Sequence, residues 1–308
     1  MINKIVAIQG DHPSKLNPLT DTSIFLANEI QKKKYRIFYY NPKDLSIINS
    51  KVIAKGYFIK IDYNKKKFYE ILTKQNLELS KCNFIIIRQD PPFNSEYIST
   101  TFILDTIKDK VKIINDPTSI RNVSEKLYSA KYLKFMPKTI FTQDTYEVKR
   151  FLKKNKKIIL KPIHGHGGND ICLMTKFKLK FINKFIKKHN HIVCQTYLPK
   201  ISFGDKRVFL INGKVCGAIT RIPKKGSFLS NMSKGAKPKI TSLTQKEKKI
   251  SKLVGKDLKK DKIFLAGIDF IDQKLNGDIN VTSPTGLKTL FDISKINLAK
   301  TFWKELKA

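Results

Sequence analysis

Several features that would direct attention to particular protein classes are missing from this 308-residue sequence. No apolar run approaches the ~18 residues that a membrane-spanning helix needs. The first ten residues, MINKIVAIQG, contain neither the long apolar region nor the small-residue cleavage site of a signal peptide. We therefore expect a soluble, cytoplasmic protein, and its 41% hydrophobic composition is sufficient for two or three folded units.

Cysteine and histidine are scarce, which argues against a disulfide scaffold and against a structural zinc site. The cysteines form no C-x-x-C pair, and each lies in or beside an apolar stretch. Buried free thiols are therefore expected at all four positions, Cys82, Cys172, Cys194 and Cys216. The five histidines do not cluster with the cysteines in the sequence, so no zinc site is predicted.

Arginine is rare for a chain with a formal net charge of +36, since only six of its 61 basic residues are arginines. Such a charge suggests nucleic-acid binding, and strongly salt-dependent binding would support that alternative. However, the lysines are spread over the whole chain without a recognised nucleic-acid motif, as a general drift of composition toward lysine would produce. The few arginines are more informative, because guanidinium makes planar, bidentate contacts with anions that lysine does not.

Strand and helix patterns alternate in the first third of the chain. Apolar runs at residues 4–9, 83–89 and 111–117 predict strands, and helical spacing follows the first two. Such alternation predicts a parallel α/β sheet. In these sheets functional residues gather beyond the carboxyl ends of the strands, and Arg88 and Asp90 occupy such an end.

The pattern changes near residue 120, where a small α+β unit of about 75 residues begins. Its first element is predicted to be a helix over residues 122–133, with Ser124 as a plausible cap. The remaining part of the chain contains a predicted hairpin with an Asn212-Gly213 turn. A polar, glycine-bearing stretch over 224–239 follows, and later come the two strands that carry GIDFID and GDIN.

The segment LKPIHGHGG, residues 160–168, combines a strand exit, a lysine and a glycine-rich loop. Glycine allows left-handed backbone and close approach, so the N–H groups of such a loop can surround phosphates. The loop is not a P-loop, and a glycine-rich turn is more often only a turn. Lys161 at the strand exit improves the case for phosphate binding, whereas Lys126 alone would be one surface lysine among many.

Acidic and amide side chains on the last two strands predict a metal site. Asp269 and Asp278 should lie near one another across the hairpin, and Asn280 shares strand parity with Asp278. Oxygen ligands of this kind suit magnesium, which keeps positions for water and substrate phosphates; a solvated acidic hairpin is the alternative. In GDKRVFLI, Asp205 and Arg207 also share parity, which fits either a surface salt bridge or an anion-binding arginine.

These segments together resemble the bacterial glutathione synthetases, a family of ATP-grasp ligases, over nearly the full length of the chain. The resemblance is carried by IIIRQDPPFNSEYI, IINDPTSIRNVSEKLYSAKY, IILKPIHGHGG, CQTYLP, GDKRVFLINGKVCGAITRIP and GIDFI…INVTSPTG. It implies the ATP-dependent joining of γ-glutamylcysteine and glycine through an acyl phosphate. It also implies an N-terminal parallel α/β domain (1–121), a central ATP-grasp lid subdomain (122–199) and a C-terminal ATP-grasp domain (200–308) with a mobile loop at 222–238.

The resemblance also implies roles for individual residues. ATP would be held by two phosphate lysines, a small glycine loop and an inter-domain hinge whose backbone meets adenine, namely Lys126, Lys161, Gly165, Gly167, Gly168, Gln195, Tyr197 and Leu198. Arg207 would steady the acyl phosphate and the tetrahedral intermediate. The carboxylates of the peptide substrate would be bound by Arg88, Arg221 and Ser283, and magnesium, or alternatively manganese, by Asp269, Asp278 and Asn280. The resemblance implies a homotetramer, and the dispersed lysines and the lack of long apolar runs predict no specific nucleic-acid or membrane partner.

Three positions depart from the pattern of the family. Asp278 replaces the usual glutamate and is one methylene shorter, His164 replaces an aspartate at the start of the small loop, and Leu229 stands where the mobile loop usually carries an arginine. These departures leave two alternatives open, an ATP-grasp ligase with a different acceptor and a module that binds nucleotide without catalysis. Retention of Lys126 and Arg207 argues against the second.

Overall fold

Three β-sheets organise the chain, as seen in a computed structural model that describes residues 4–63 and 65–308. The first sheet comprises β1 (Ile5–Gln9), β2 (Arg36–Ile48), β3 (Lys51–Ile61), β4 (Tyr69–Glu78), β5 (Phe84–Ile87) and β6 (Lys112–Ile114), in the order β4-β3-β2-β1-β5-β6. Helices α1 (Thr22–Gln31) and α2 (Ser95–Asp105) each connect two parallel strands, and α3 (Pro117–Asn122) follows β6. The predicted α/β class is confirmed, and β3 and β4 extend the parallel part as an antiparallel meander.

The second sheet is small and antiparallel and has a core of its own. It comprises β7 (Thr139–Thr142), β8 (Ile158–Pro162), β9 (Cys172–Met174) and β10 (Ile192–Thr196), in the order β7-β10-β8-β9. Helices α4 (Thr145–Asn155) and α5 (Leu179–His189) pack against it, and the buried members of this core all lie between Val148 and Cys194. The helical patterns over residues 144–155 and 178–188 predict these two helices to within one residue.

The third sheet carries the C-terminal half of the fold. It comprises β11 (Asp205–Ile211), β12 (Lys214–Ile222), β13 (Lys237–Ile240), β14 (Leu265–Ile271) and β15 (Lys274–Asn280), in the order β13-β12-β11-β14-β15. Helices α6 (Gln245–Lys260), α7 (Leu287–Ser294) and α8 (Leu298–Glu305) complete this part. The turn predicted at Asn212-Gly213 is present, with both residues at positive φ, and β13 is a strand within the stretch predicted only as polar loop.

The first and third sheets are joined through shared cores. One buried cluster contains Val6 and Ile24 from the first part of the chain together with Phe302 and Trp303 of α8. The indole Nε1 of Trp303 donates to the backbone oxygen of Leu26 over 2.9 Å. The N-terminal and C-terminal parts therefore support one another, whereas the second sheet stands apart with its separate core.

The helix predicted over residues 122–133 is wrong. The α-helix α3 ends at Asn122, and a 3-10 helix with a kink at Tyr132 covers Leu127–Phe135. The backbone between them leaves the helical path because Glu125 is drawn against the exposed edge of β15, where its carbonyl oxygen accepts from the N–H of Ile279 over 3.0 Å. Tertiary contact here overrides local helical preference.

Two further expectations have simple outcomes. The four cysteines are free, and Cys82 and Cys194 are buried, but Cys172 and Cys216 are only partly so. Within residues 4–63 and 65–308, no helix has both the length and the apolar character to cross a membrane.

Candidate active site

A cleft of about 870 Å³ opens where the three sheets meet. Strand residues of the second and third sheets line it, together with the segments that follow β1 and β5, the glycine-rich loop after β8 and the loop that follows β12. Of the residues proposed from the sequence, only Arg88 lies behind the surface of this cleft. The other proposed residues all line the cleft, namely Lys126, Lys161, Gly165, Gly167, Gly168, Gln195, Tyr197, Leu198, Arg207, Arg221, Asp269, Asp278, Asn280 and Ser283.

Two buried lysines converge on Asp278. Lys161, at the exit of β8, places its Nζ 3.3 Å from Asp278 Oδ2 and donates to the backbone oxygen of Asn276 over 3.0 Å. Lys126 places its Nζ 3.6 Å from Asp278 Oδ1 and donates to the oxygen of Gly165. Burial alone would raise the pKa of the Asp278 carboxyl, but the two lysines lower it below its ordinary value. Asp278 is therefore a carboxylate at neutral pH.

Two arginines and two aspartates form a buried network beside these lysines. The Arg207 guanidinium contacts Asp269 through two hydrogen bonds, of which Nη2 to Oδ2 spans 2.8 Å. Arg221 is paired with Asp205 in the same bidentate way, and its Nη2 also reaches Asp269 Oδ2 at 3.0 Å. Burial would raise the pKa of Asp269, but the two guanidinium groups hold it at about 2.

Strand register explains this pairing. The central strand β11 places Asp205 opposite Arg221 of β12 and Arg207 opposite Asp269 of β14. Asp205 and Arg207 share a face of β11 as expected. They do not form an ion pair with each other, because each pairs with a residue of a neighbouring strand. An arginine held on a planar carboxylate in this way keeps a fixed orientation toward the cleft.

The residues expected to hold a divalent cation lie on β14 and β15. A turn at Asp272-Gln273 joins the two strands, and a register shift sets residues 276–278 opposite Asp269. The Asn280 amide donates through Nδ2 to the oxygen of Gly267 over 3.1 Å, which fixes the orientation of its amide group. Two ionised carboxylates and an amide oxygen are hard ligands, so Asp269, Asp278 and Asn280 fit magnesium or a similar cation.

The glycine loop and the polar loop after β12 face one another. Gly167 and Gly168 have positive φ, and a Cβ atom at Gly168 would lie 2.5 Å from Asn231 Oδ1. Lys234 Nζ donates to Asn169 Oδ1 over 2.8 Å, which connects the two loops a second time. The loop at 222–238 thus lies over the cleft, and Leu229 contributes to its lining.

The residues expected to form the inter-domain hinge lie at and just after the end of β10. Gln195 is buried and donates to Thr139 Oγ1 over 2.9 Å. The backbone N–H of Tyr197 donates a hydrogen bond to the backbone oxygen of Lys157. The ammonium of Lys157 lies 4.2 Å from the centre of the Tyr197 ring. Tyr197 and Leu198 both border the cleft.

Arg88 and Ser283 lie at the end of the cleft nearest the first sheet. Arg88 is only 4% exposed, and its Nε donates to Ser23 Oγ over 3.0 Å. Both terminal nitrogens, Nη1 and Nη2, are buried without a hydrogen-bond partner in the part of the chain that the structure describes. Ser283 Oγ lies 3.4 Å from the Arg88 carbonyl oxygen.

Sequence reasoning missed two contributors to the site, Glu125 and Asn276. One carboxylate oxygen of Glu125 accepts hydrogen bonds from Val281 N, Thr282 N and Thr282 Oγ1, and Asn276 holds Lys161. The position of Glu125 next to Lys126 was the available signal, but its partners lie 156 and 157 residues further along the chain.

Comparisons with known proteins agree along the chain. Residues 5–121 match the family model described as prokaryotic glutathione synthetase, N-terminal domain, and residues 125–295 match prokaryotic glutathione synthetase, ATP-grasp domain. The glutathione synthetase of Agrobacterium fabrum is 34% identical over 99% of this chain and 96% of its own length. That of Escherichia coli O6:H1 is 34% identical over 92% of both chains.

Solved structures show the same fold at low identity. D-alanyl-alanine synthetase A from Vibrio cholerae O1 superposes with a TM-score of 0.62 at 14% identity and full coverage of both chains. The ATP-grasp ligase PsnB, complexed with a minimal precursor, gives a TM-score of 0.65 at 11% identity, with 99% of this chain and 100% of that chain covered.

Proposed function

Since this chain belongs to the prokaryotic glutathione synthetase family and is an ATP-grasp ligase, we propose how its own residues join γ-glutamylcysteine to glycine. The observation that carries this proposal is the convergence of Lys126 and Lys161 on Asp278 beside the Arg207–Asp269 pair, within one cleft. Such a cleft brings together fixed cationic groups for phosphates and carboxylates.

ATP binds first in this scheme, with its phosphates between the two lysines and the glycine loop. The positive φ of Gly167 and Gly168 supports close backbone approach to phosphate oxygens. The hinge from Gln195 to Leu198 holds the adenine. Asp269, Asp278 and Asn280 hold a divalent cation, for which we propose magnesium with manganese as the alternative; when bound, it screens the charge of the phosphates.

The peptide substrate then presents its cysteine carboxylate to the γ-phosphorus. A carboxylate oxygen forms the new P–O bond, ADP leaves, and an acyl phosphate remains. Arg207 is oriented by Asp269 and faces the negative charge that develops on the acyl group. Arg88, Arg221 and Ser283 bind the carboxylates of the peptide substrate, and the side-chain nitrogens Nη1 and Nη2 of Arg88, which have no partner in the described part of the chain, support this role.

Glycine completes the reaction as a neutral amine. Its nitrogen attacks the acyl carbon, the tetrahedral intermediate collapses, and phosphate leaves as the amide forms, with the amine proton released. The loop at 222–238 covers the cleft and keeps water from the acyl phosphate. No side chain of the protein forms a covalent intermediate in this scheme.

The decisive experiment measures phosphate release from ATP with the purified protein. γ-Glutamylcysteine plus glycine is compared with each substrate alone and with γ-glutamylcysteine plus alanine or serine. Release that requires both natural substrates, with an equal amount of glutathione, supports the proposal. Equal or faster release with another amine supports a ligase with a different acceptor, and ATP binding without release supports a module that does not catalyse.

Further proposals concern organisation. We infer a lid subdomain at 122–199 between domains at 1–121 and 200–308, a homotetramer, a cytoplasmic location and no specific nucleic-acid or membrane partner. Light scattering after gel filtration tests the tetramer, and fractionation of cells tests the location. Salt-dependent binding to DNA or RNA at submicromolar concentration would contradict the last inference.

A further inference from the structure

The stretch over residues 126–136, which we call the entry segment, leads from Lys126 into the second sheet and contains the kinked 3-10 helix. Its buried tyrosines and Met136 share one core with Val254 and Leu258 of α6. Among the described residues, none of these side chains belongs to the core of the second sheet. By its packing, the entry segment therefore belongs to the body that carries the proposed cation ligands, although it begins the proposed lid subdomain.

Two tyrosine hydroxyls attach the entry segment to the C-terminal end of α6. Tyr128 Oη donates to Asp261 Oδ2 over 2.6 Å, and Tyr132 Oη donates to Asp257 Oδ2 over 2.7 Å. The centres of the two tyrosine rings are 6.1 Å apart, so the two hydrogen bonds lie side by side. Both tyrosines are buried, whereas both aspartates are partly exposed. A pair of bonds of this kind prevents the entry segment from turning about either one alone.

The two aspartates occupy places that are unfavourable for α6 itself. Asp257 lies in the last turn of the helix and Asp261 is its C-terminal cap, where the helix dipole disfavours negative charge. The contacts with the tyrosines, and Lys131 Nζ at 3.7 Å from Asp261 Oδ2, offset this cost. Burial and the hydrogen bond to Asp261 raise the pKa of Tyr128, so its hydroxyl remains a donor at neutral pH.

The attachment reaches Lys126 through the first turn of the entry segment. The backbone oxygen of Lys126 accepts from the N–H of Ser129 over 3.1 Å and from the Ser129 hydroxyl, and Ser129 directly follows Tyr128. The Lys126 ammonium extends into the cleft, where it donates to the oxygen of Gly165 and lies 3.6 Å from Asp278 Oδ1. Neither tyrosine and neither aspartate is among the described residues that line the cleft.

We propose that Tyr128 and Asp261 are positioning residues that hold Lys126 at the phosphates of ATP, with Tyr132 and Asp257 as a second attachment. Lysine carries a point charge on a flexible stem, so the place of its ammonium depends on a fixed backbone. A backbone that is already fixed loses less freedom when ATP binds. This role rests on the proposed function, in which Lys126 binds ATP.

Tyr128→Phe is the sharpest variant, because it removes the hydroxyl and keeps the buried ring. Water can reach the partly exposed Asp261, so the variant should fold. The dissociation constant of ATP with magnesium, measured by calorimetry on the whole protein, should rise roughly three- to tenfold. This is less than the full contribution of a hydrogen bond to a charged group, because Glu125 and Ser129 still hold the segment. At saturating ATP, kcat and the KM of glycine should stay within about twofold of wild type.

A second variant tests whether the effect passes through the lysine. Lys126→Met keeps the stem, removes the ammonium and should weaken ATP binding. Adding Tyr128→Phe to it should change the dissociation constant by less than about twofold, since the group that is positioned is already gone.

The acceptor is tested in the same way. Asp261→Ala should weaken ATP binding by the same factor as Tyr128→Phe, and the two changes together should weaken it no further. Asp261→Asn keeps an acceptor oxygen for the hydroxyl and should bind ATP within about twofold of wild type. Tyr132→Phe should have a smaller effect than Tyr128→Phe, because the kink at Tyr132 separates it from Lys126.

The matched control is Tyr40→Phe, which makes the same exchange outside the entry segment. Tyr40 is buried, and its hydroxyl donates to Gln9 Oε1 over 3.1 Å. The control should lower the midpoint of urea unfolding and leave the dissociation constant of ATP unchanged. It therefore separates the positioning of Lys126 from a general loss of stability.

The outcomes also separate this proposal from the proposed ligation. A dissociation constant within about twofold of wild type in Tyr128→Phe would overturn it, and so would an equal loss in the wild-type and Lys126→Met backgrounds or an equal loss in Tyr40→Phe. If wild type binds ATP but makes no glutathione, the ligation fails, and the same titrations still decide the positioning role. If wild type binds no ATP, both proposals are wrong.

Discussion

Replacement of Glu125 by alanine should destabilise the protein and weaken ATP binding together. One carboxylate oxygen of Glu125 accepts from the backbone N–H groups of Val281 and Thr282, at 2.9 and 3.1 Å, and from the Thr282 hydroxyl at 2.9 Å. Val281 is fully buried and Thr282 is 6% exposed. Alanine would therefore leave two buried backbone donors without an acceptor.

The magnitude follows from those two donors. A buried donor left without its partner costs about 1–3 kcal/mol, so Glu125→Ala should lower the free energy of unfolding by about 2–6 kcal/mol. Glu125→Gln keeps a carbonyl oxygen at the same place and loses only the charge, which should cost about 1 kcal/mol. Since the next residue, Lys126, contacts Gly165 and Asp278, the alanine variant should also raise the KM of ATP more than it lowers kcat.

Urea unfolding followed by the fluorescence of Trp303 measures the first effect, and initial rates at varied ATP measure the second. Glu125→Gln serves as the matched control. A loss below about 1 kcal/mol in Glu125→Ala would refute the reasoning, because it falls under the cost of even one orphaned donor. Equal effects of alanine and glutamine would show that the charge, and not the acceptor geometry, matters.

Four further predictions concern the centre of the cleft. Arg207→Lys keeps the charge but loses the planar contact, so kcat should fall roughly hundredfold with little change in ATP affinity; equal losses in both would indicate a simple ATP contact. Asn280→Ala should remove most turnover at limiting magnesium in a folded protein, and wild-type rates there would contradict its role as a ligand. Because the folded pKa of Asp269 is lowered to about 2, its contribution to stability is complete above the unfolded value near 4 and is lost as pH falls through 2. The stability difference between wild type and Asp269→Asn should therefore shrink by about 2 kcal/mol between pH 5 and pH 2 in urea titrations, and a constant difference would contradict the shift. At Gly267 an added Cβ would lie 2.9 Å from Arg207 Cδ, so Gly267→Ala should displace Arg207 and lower kcat while the KM of ATP stays near wild type; unchanged kcat would show that Arg207 tolerates the shift.

Local patterns in the sequence were sufficient for most of the helices and strands. Residues 144–155 are predicted as a helix and form α4 with Asp144 as its cap, and the Asn212-Gly213 turn takes the left-handed conformations that such a hairpin requires. In both cases the determining interactions lie within a few residues, so the sequence signal is direct.

Residues whose partners lie far along the chain were predicted less well. The helix expected at 122–133 breaks because Glu125 accepts hydrogen bonds from the backbone N–H groups of Ile279 in β15 and of Val281 just after it. The antiparallel strands β3 and β4 depend on pairing with β2, which no local pattern specifies. Prediction fails in these places because tertiary contacts outweigh local preference.

The members of the site could be named from the sequence, but their pairing could not. Asp205 and Arg207 suggested a pair with each other, whereas the register across β11, β12 and β14 gives them Arg221 and Asp269 as partners. Likewise, the buried state of Arg88 depends on the packing of α1 against the first sheet, where Ser23 meets it.

The contact between Trp303 and Leu26 has a consequence for how the protein folds during synthesis. These residues are 277 positions apart, and Phe302 and Trp303 fill the same core as Val6 and Ile24. The residues of the N-terminal sheet leave the ribosome long before α8 has been synthesised. Until then, the apolar surface of this sheet that α8 later covers is exposed to solvent. Contacts of such high order fold slowly and leave an aggregation-prone intermediate. The small second sheet, whose core is closed within residues 148–194, can be complete while the larger body is still unfinished.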